Sequence, residues 1–170
     1  GGNLVEDGIV VFCAGGIALV STSSSGGGEP YSYTWIDNDT GNIILENSPV
    51  ITIGTAGNFS VITTNQADCV TENFFTVVEN NGLSVNTGID AFCPGQDSWL
   101  YVVGDPSGGE SPYFYEWYYD VTDNGLDPAD ELIASGFDED FIAVSEFGTY
   151  YLVITDSNEC SVNQALILNW

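Results

Sequence analysis

The chain has 170 residues with no Lys, Arg, His or Met, whereas 25 residues are Asp or Glu, so its formal net charge is -25. Neutralising the phosphates of nucleic acids or of anionic lipids needs Lys or Arg, so both kinds of partner are excluded. Catalysis by a histidine base, a Schiff-base lysine or an arginine clamp is excluded for the same reason.

The acidic composition does not predict disorder, because hydrophobic residues make up 44% of the chain and aromatic residues 13%. A solvated acidic tail carries far less apolar surface, so we expect a folded protein. No apolar run reaches the ~18 residues of a membrane-spanning helix, and no membrane span is predicted. The chain begins without Met or a basic leader, which indicates a processed chain or an excised piece.

Short runs of β-branched and aromatic residues alternate with clusters of Gly, Asn, Asp, Ser and Pro, which predicts an all-β fold. The candidate strands of the first half are 9–12, 17–22, 31–36, 43–45, 50–53, 58–63 and 74–78. Those of the second half are 83–87, 98–103, 113–119, 131–134, 141–144, 149–155 and 165–168. About seven short strands in each half are typical of an immunoglobulin-like β-sandwich.

The two halves repeat one another, with the join near 79–82. Three landmarks recur in the same order, at offsets of 80, 82 and 91 residues. They are Phe12-Cys13 and Phe92-Cys93, the GGEPYSYTW and GGESPYFYEW segments ending at Trp35 and Trp117, and the GNFSVITTNQADC and GTYYLVITDSNEC segments ending at Cys69 and Cys160. We therefore predict two tandem immunoglobulin-like domains, residues 1–80 and 81–170.

The four cysteines form no CxxC pair, which favours structural disulfides over a zinc site. Because each repeat owns two of them, the predicted bonds are Cys13 to Cys69 and Cys93 to Cys160. Each bond would tie the first strand of a unit to the loop before its last strand. Disulfides imply an oxidising, extracellular compartment.

The pattern of a Cys, a short strand, GGxPYxYxW and then GxYxVxxTDxxxC resembles the immunoglobulin-like repeats, related to the polycystic-kidney-disease fold, of bacterial surface adhesins and gliding-motility proteins. The resemblance implies a secreted β-sandwich used for display, adhesion or fibre building. The first unit departs from the pattern at Phe59 and Asn65, where Tyr and Asp are usual. The second unit has nine extra residues between its Trp and the next shared Gly.

The extra residues form an acidic insertion near 119–136, which resembles the calcium loops of secreted repeat modules. Carboxylates spaced by three or four residues around a Gly can converge on one cation, so the loop is a candidate calcium site. The alternative, a solvated acidic loop, stays open. The candidate ligands are Asp120, Asp123, Asp127, Asp130 and Glu131.

Aromatic residues alternate on the third strand of each unit and end in Trp35 and Trp117, which we expect to be core tryptophans. Phe114, Tyr118 and Tyr119 are surplus aromatics and are the expected members of an exposed or subunit-facing patch. Asn38 begins the glycosylation sequon Asn-Asp-Thr, a weak candidate for a glycan.

The N-terminal segment is apolar and lacks the Lys or Pro that usually protects an exposed strand. It is therefore a candidate donor strand that completes the sandwich of another subunit. The alternative, a first strand of its own unit, stays open. The apolar residues of this segment are Leu4, Val5, Ile9, Val10, Val11 and Phe12.

Together these features predict a structural subunit of an extracellular bacterial fibre or pilus, a homopolymer assembled by donor-strand exchange. The alternative is an adhesin or stalk module that binds glycans or a protein partner, stiffened by calcium. We predict no enzyme, because the aspartic-protease tripeptide occurs once, at 39–41, where a pair of carboxylates is required. A polymer of such acidic subunits should strengthen with calcium or added salt.

Overall fold

A computed structural model describes residues 8–80, 82–90 and 96–169 of the protein. These ranges contain fourteen strands. No helix within them is long and apolar enough to cross a membrane. The chain divides into two compact units, Gly1–Asn80 and Asn81–Trp170. The all-β class expected from the sequence is confirmed, and each unit consists of two facing sheets.

Unit 1 contains seven strands in two sheets. They are β1 (Ile9–Cys13), β2 (Ala18–Ser21), β3 (Ser32–Asp37), β4 (Asn42–Glu46), β5 (Val50–Ile53), β6 (Gly57–Thr64) and β7 (Val70–Asn80). The larger sheet has the order β1-β7-β6-β3-β4, and the smaller pairs β2 with β5. All pairs are antiparallel except β1 with β7, which run parallel.

Unit 2 repeats this arrangement with one change. Its strands are β8 (Thr87–Ile89), β9 (Ser98–Val102), β10 (Phe114–Tyr119), β11 (Glu131–Gly136), β12 (Phe141–Val144), β13 (Gly148–Thr155) and β14 (Ser161–Leu168). The larger sheet has the order β11-β10-β13-β14 and the smaller the order β12-β9-β8. The first described strand of unit 2 therefore joins the smaller sheet, antiparallel to β9.

Each unit has its own core between its sheets. Trp35 lies at the centre of the first core with Phe59 and Phe75, and Trp117 at the centre of the second with Leu152. Alternation along each strand puts one set of side chains into the core and the other onto the outer face. The two tryptophans are 1% and 0% exposed.

Equivalent hydrogen bonds fix both cores. Trp35 Nε1 donates to the Ser48 carbonyl at 2.8 Å, and Trp117 Nε1 donates to the Glu139 carbonyl at the same distance. Each indole therefore meets the rule that a buried donor needs a partner. The Trp also ties the third strand of the unit to the turn before the fifth.

The nine additional residues of unit 2 fall in two places. The offset between equivalent residues is 82 at Trp35 and Trp117, 89 at their strand partners Leu45 and Ala134, and 91 at the acceptors Ser48 and Glu139. Seven of the residues thus lengthen the β10–β11 hairpin, since 89 − 82 = 7, and two lie in the following turn. The hairpin is the predicted acidic insertion.

The N-terminal strand pairs within its own unit, where Ile9 lies opposite Thr76 and Phe12 opposite Glu79. The described part of the segment is therefore the first strand of its own unit, and not a strand donated to another subunit. Val10 and Phe12 point into the core of unit 1, so removing them would expose it. Leu4 and Val5 lie outside the described residues.

Candidate functional site

Two equivalent turns hold a cysteine before the last strand of each unit. In unit 1, Asn65 Oδ1 accepts the backbone N–H of Ala67 at 2.9 Å and of Cys69 at 3.0 Å. In unit 2, Asp156 Oδ1 accepts the N–H of Asn158 at 2.9 Å and of Cys160 at 2.8 Å. The TN/TDxxxC motif is thus a turn in which the side-chain oxygen replaces a backbone acceptor.

The paired glycines of the GGEP segment of unit 1 and the GGESP segment of unit 2 let a loop approach this turn closely. Gly27 and Gly109 both have a positive φ, of 75° and 70°. A Cβ at Gly27 would collide with the Asn65 side chain, and one at Gly109 would lie 2.8 Å from Asp156 Oδ2. In unit 2 the contact is closed by Glu110 N–H, which donates to Asp156 Oδ2 at 3.0 Å. Glycine is required there for both conformation and space.

The cysteine pairing expected for unit 1 is wrong. Cys13 lies opposite Asn80 at the C-terminal end of β7, whereas Cys69 precedes Val70 at the other end. Eleven strand residues separate these ends by roughly 35 Å, far beyond the ~4.4–6.8 Å between the Cα atoms of a disulfide. Cys69 is instead an exposed free thiol.

Two of the other cysteines are oxidised. Cys13 and Cys160 are both disulfide-bonded. The expected Cys93 to Cys160 bond includes Cys93, which lies outside the described residues. The turn that holds Cys160 therefore presents its sulfur for a bond, while the same turn in unit 1 presents Cys69 as a thiol.

A cavity of about 500 Å³ lies beside Cys69. None of its lining residues is charged, and most carry hydroxyl or amide groups: Ser23, Ser24, Ser25, Gly26, Gly27, Tyr31, Thr63, Asn65, Cys69, Thr71 and Asn73. Thr63 is only 8% exposed, and its Oγ1 has no hydrogen-bond partner in the described part of the chain. A buried hydroxyl without a partner is costly, which marks this cavity as a place where a polar group fits.

Unit 2 fills the corresponding position with apolar side chains. At the offset of 91, Thr63 corresponds to Ile154, which is fully buried, and Thr71 corresponds to Val162, which packs against the core. Leu83 also packs there, with its Cδ1 3.2 Å from where a Cβ of Gly109 would lie. The polar cavity is therefore a property of unit 1 and not of the fold in general.

The acidic insertion uses its carboxylates within its own loop. Asp120 accepts the backbone N–H groups of Thr122, Asp123 and Gly125 at 3.1, 2.6 and 3.2 Å. Burial, the largest influence, raises the pKa of Asp120, but these N–H groups and that of Asn124 together lower it below its ordinary value. Such an arrangement stabilises the ionised carboxylate and closes the loop.

Two of the remaining candidate ligands also accept hydrogen bonds from their own loop. Asp127 accepts from Ala129 N–H at 2.6 Å, and Asp130 Oδ2 accepts from Asp127 N–H at 2.9 Å. Asp130 Oδ1 is shielded from solvent without a partner. Glu131 begins β11 opposite Tyr119. The described residues contain no group of three acidic, His or Cys side chains able to hold a metal ion, so calcium binding stays a prediction.

The shorter hairpin of unit 1 carries Asn38 and Asp39, both exposed. Asp39 accepts the side-chain amide of Asn58 at 3.0 Å and its backbone N–H at 2.8 Å. These bonds lower the pKa of Asp39. The carboxylate of the protease-like tripeptide thus fixes the hairpin to β6. Glycosylation of Asn38 stays a prediction.

The outer face of the four-stranded sheet in unit 2 is almost free of charge. We define this face by the side chains that alternate with the core residues: Phe114, Glu116, Tyr118, Leu132, Ser135, Thr149, Tyr151, Val153, Thr155, Ser161, Asn163, Ala165 and Ile167. Its one carboxylate, Glu116, accepts the Tyr118 hydroxyl at 3.1 Å. Phe137 packs against Phe114 at its margin, and Ile167 is 61% exposed. The corresponding face of unit 1 carries Glu46 and Glu72.

The surplus aromatics are only partly exposed. Tyr119 contacts Tyr150 with ring centroids 5.1 Å apart and tilted planes, and it donates to the Phe147 carbonyl, so it is part of the packing. Phe114 and Tyr118 are partly covered and lie on the outer face of the four-stranded sheet. The most exposed aromatic pair of the smaller sheet is Trp99 and Phe141, 45% and 51% exposed, with ring centroids 5.5 Å apart. The alternation of Trp99 with buried Leu100 was the available signal for it.

No protein-family model and no curated protein sequence matches the chain. Solved structures that align with it are immunoglobulin-domain fragments, among them DIP-gamma Ig1–Ig2 (10% identity, 95% of this chain and 92% of that chain, TM-score 0.38). Others are the amphioxus IgVJ-C2 molecule (11%, 95% and 100%, TM-score 0.41) and domains 3 and 4 of rat CD4 (12%, 98% and 100%, TM-score 0.30).

The class that the fold defines is a tandem pair of immunoglobulin-like β-sandwiches. Identities of 10–12% at these TM-scores carry no argument about function. The bacterial adhesin type stays a prediction from the sequence motifs.

Proposed function

We propose that the protein is a non-enzymatic structural module of an extracellular surface fibre, which self-associates through the outer face of the four-stranded sheet in unit 2. The observation that carries the proposal is the placement of charge. The chain has 25 acidic side chains and no basic one, yet this face carries a single carboxylate, Glu116. A second copy of the same acidic chain meets little repulsion there.

The chemistry of the face supports close contact. Phe114, Tyr151 and Ile167 offer apolar area, and hydroxyl and amide groups around them offer neutral hydrogen-bonding partners. Aromatic residues are enriched and charged residues depleted in the buried centres of protein interfaces. The disulfide-bonded Cys13 and Cys160 support an oxidising, extracellular location.

The proposal does not use donor-strand exchange through the N-terminal segment. Residues 9–13 are already paired with β7, and Val10 and Phe12 fill the core of unit 1. Exchange would require this unit to open first. Association through a preformed face needs no such step.

A matched pair of variants tests the proposal. Ile167→Glu adds a carboxylate to the face, whereas Ile17→Glu makes the same change at a comparably exposed residue outside it, since the two side chains are 61% and 66% exposed. Sedimentation velocity should show roughly tenfold weaker association for I167E, because a like charge placed in an interface costs at least ~1.4 kcal/mol. I17E should behave as the parent. Equal association of all three proteins would refute the role of this face.

A second candidate function is glycan binding, favoured by the exposed pair Trp99 and Phe141 on the smaller sheet of unit 2. Tyr101 extends the pair, with its ring lying over Gly88. Neutral sugars stack on exposed aromatic rings and need no basic residue. Trp99→Ala should abolish binding to a glycan array, and a flat array for the unsubstituted protein would dismiss this function.

A further inference from the structure

The free thiol of Cys69 is held in a turn with the same hydrogen bonds as the turn around the disulfide-bonded Cys160. In both units the cysteine N–H is fixed by the side chain four residues earlier, and its Sγ lies 3.9 Å from the carbonyl two residues earlier. In unit 2 the cysteine in this geometry is disulfide-bonded. The turn around Cys69 therefore presents its sulfur in the same way but without a partner.

The cysteine of the same unit cannot supply that partner. Cys13 is at the opposite end of β7 and is already in a disulfide. An exposed, unpaired cysteine in an oxidising compartment is typical of a chain that bonds to another molecule. The position of Cys69 at the end of the sandwich makes it accessible to one.

The cavity beside Cys69 supplies a second, independent sign of a bound segment. The buried Thr63 hydroxyl lacks a partner there, and a main-chain N–H or C=O of an incoming segment would satisfy it. No carboxylate lines the cavity, although Asp and Glu make up 15% of the chain. The lining itself therefore adds no repulsion against an acidic molecule.

We propose that Cys69 forms a disulfide with a cysteine of a second copy of this chain, whose adjoining residues occupy the cavity lined by Thr63 and Tyr31. The proposal rests on the self-association argued above and adds a covalent bond to it. A second copy is the occupant because the uncharged lining suits a chain that carries a net charge of -25.

The bond forms by thiol–disulfide exchange with a small-molecule or protein disulfide as the oxidant. The Cys69 thiolate attacks the oxidant's disulfide, forms a mixed disulfide and releases one thiolate of the oxidant. The partner's thiolate then attacks the Cys69 sulfur and displaces the second oxidant thiolate. Two protein thiols thereby lose two protons and two electrons, and one oxidant disulfide becomes two thiols.

The experiment oxidises the purified chain with oxidised glutathione and separates the products on denaturing, non-reducing gels, with mass spectrometry to map the bonded peptides. We expect species of two or more chains whose linkage includes Cys69, and their loss in Cys69→Ser. Thr63→Ile installs the residue found at the equivalent buried position of unit 2, and filling the cavity this way should reduce the covalent product roughly tenfold, because docking no longer raises the effective thiol concentration.

A control places the thiol elsewhere: the Cys69→Ser, Ser157→Cys double variant carries an exposed thiol in the equivalent turn of unit 2 and should give little covalent product. Equal cross-linking through position 157, glutathione alone on Cys69, or a bond from Cys69 within its own chain would each overturn the proposal. Sedimentation in reducing buffer separates the two claims. If the protein associates in reducing buffer but gives no covalent product on oxidation with glutathione, only the disulfide is refuted. If it does not associate in reducing buffer, the proposed function is refuted.

Discussion

The carboxylate of Asp156 accepts the backbone N–H of Cys160 at 2.8 Å, and its second oxygen accepts Glu110 N–H at 3.0 Å. One buried side chain thus joins the last turn of unit 2 to the GGESP loop. Asp156→Ala leaves three N–H groups without their acceptor, and we expect a loss of about 3 kcal/mol in the free energy of unfolding of unit 2. Denaturant titration followed by tryptophan fluorescence measures it.

The matched change in unit 1 is Asn65→Ala. Asn65 is neutral and accepts two N–H groups, so we expect a smaller loss of about 1–2 kcal/mol. Equal losses in the two variants would show that the charge of Asp156 contributes nothing. Because the chain has two units, each transition must be resolved separately.

Replacing a core tryptophan tests the duplicated anchor. Trp35→Phe removes the bond to the Ser48 carbonyl, and Trp117→Phe removes the bond to the Glu139 carbonyl. Each change also leaves unfilled volume, so we expect each to lower the free energy of unfolding of its own unit by about 2 kcal/mol or more. Calorimetry of the two single variants should show one displaced transition each. Displacement of the wrong transition would contradict the assignment.

Acid should weaken the β3–β4 hairpin of unit 1. The side-chain and backbone bonds from Asn58 lower the pKa of Asp39 below 3.8, its ordinary value. A lowered folded pKa contributes stability that is present above the unfolded pKa and is lost as pH falls through the folded pKa. Asp39→Asn should therefore be less stable than the parent at pH 7, and the difference should shrink as the pH falls below 3.8. A difference that does not change with pH would count against the bonds.

Alkali should weaken unit 2 through Tyr150. Burial above all, and then the negative charges of Tyr119 and Glu146, raise the pKa of Tyr150 from 10.0 to about 12. Because the folded pKa is raised, the protonated hydroxyl contributes stability that is complete below pH 10 and is lost between pH 10 and 12. The free energy of unfolding of Tyr150→Phe should fall less steeply over this interval. Parallel curves for the two proteins would refute the shift.

Hydrophobic alternation and the internal repeat were enough to predict the number of strands and the positions of the core tryptophans. Fourteen strands were expected and fourteen occur in the described residues, and the position of Trp35 and Trp117 on the third strand of each unit followed from their aromatic rows. The last strand of each unit was predicted too short. β7 begins at Val70 because Thr71 and Glu72 pair with β6, and a ladder formed by polar residues leaves no hydrophobic pattern.

The candidate sites were harder to predict, because they depend on which residues meet in space. The repeat showed that each unit owns two cysteines but not that Cys13 and Cys69 lie at opposite ends of β7. The acidic spacing of the insertion suggested a convergent site, whereas Asp120 and Asp127 bind N–H groups of their own loop. The face with a single carboxylate can be recognised only when the strand register places Tyr118, Tyr151 and Ala165 in one row.

If a face almost free of charge lets copies of this highly acidic chain associate, the mass of the assembly should depend on salt. Sedimentation equilibrium in reducing buffer should show larger assemblies at 0.5 M than at about 0.02 M sodium chloride, because the Debye length falls from roughly 20 Å to 4 Å and long-range repulsion is screened. The Ile167→Glu variant should stay smaller than the parent at both concentrations. A monomer at every salt concentration, or association that weakens as salt is added, would contradict the account.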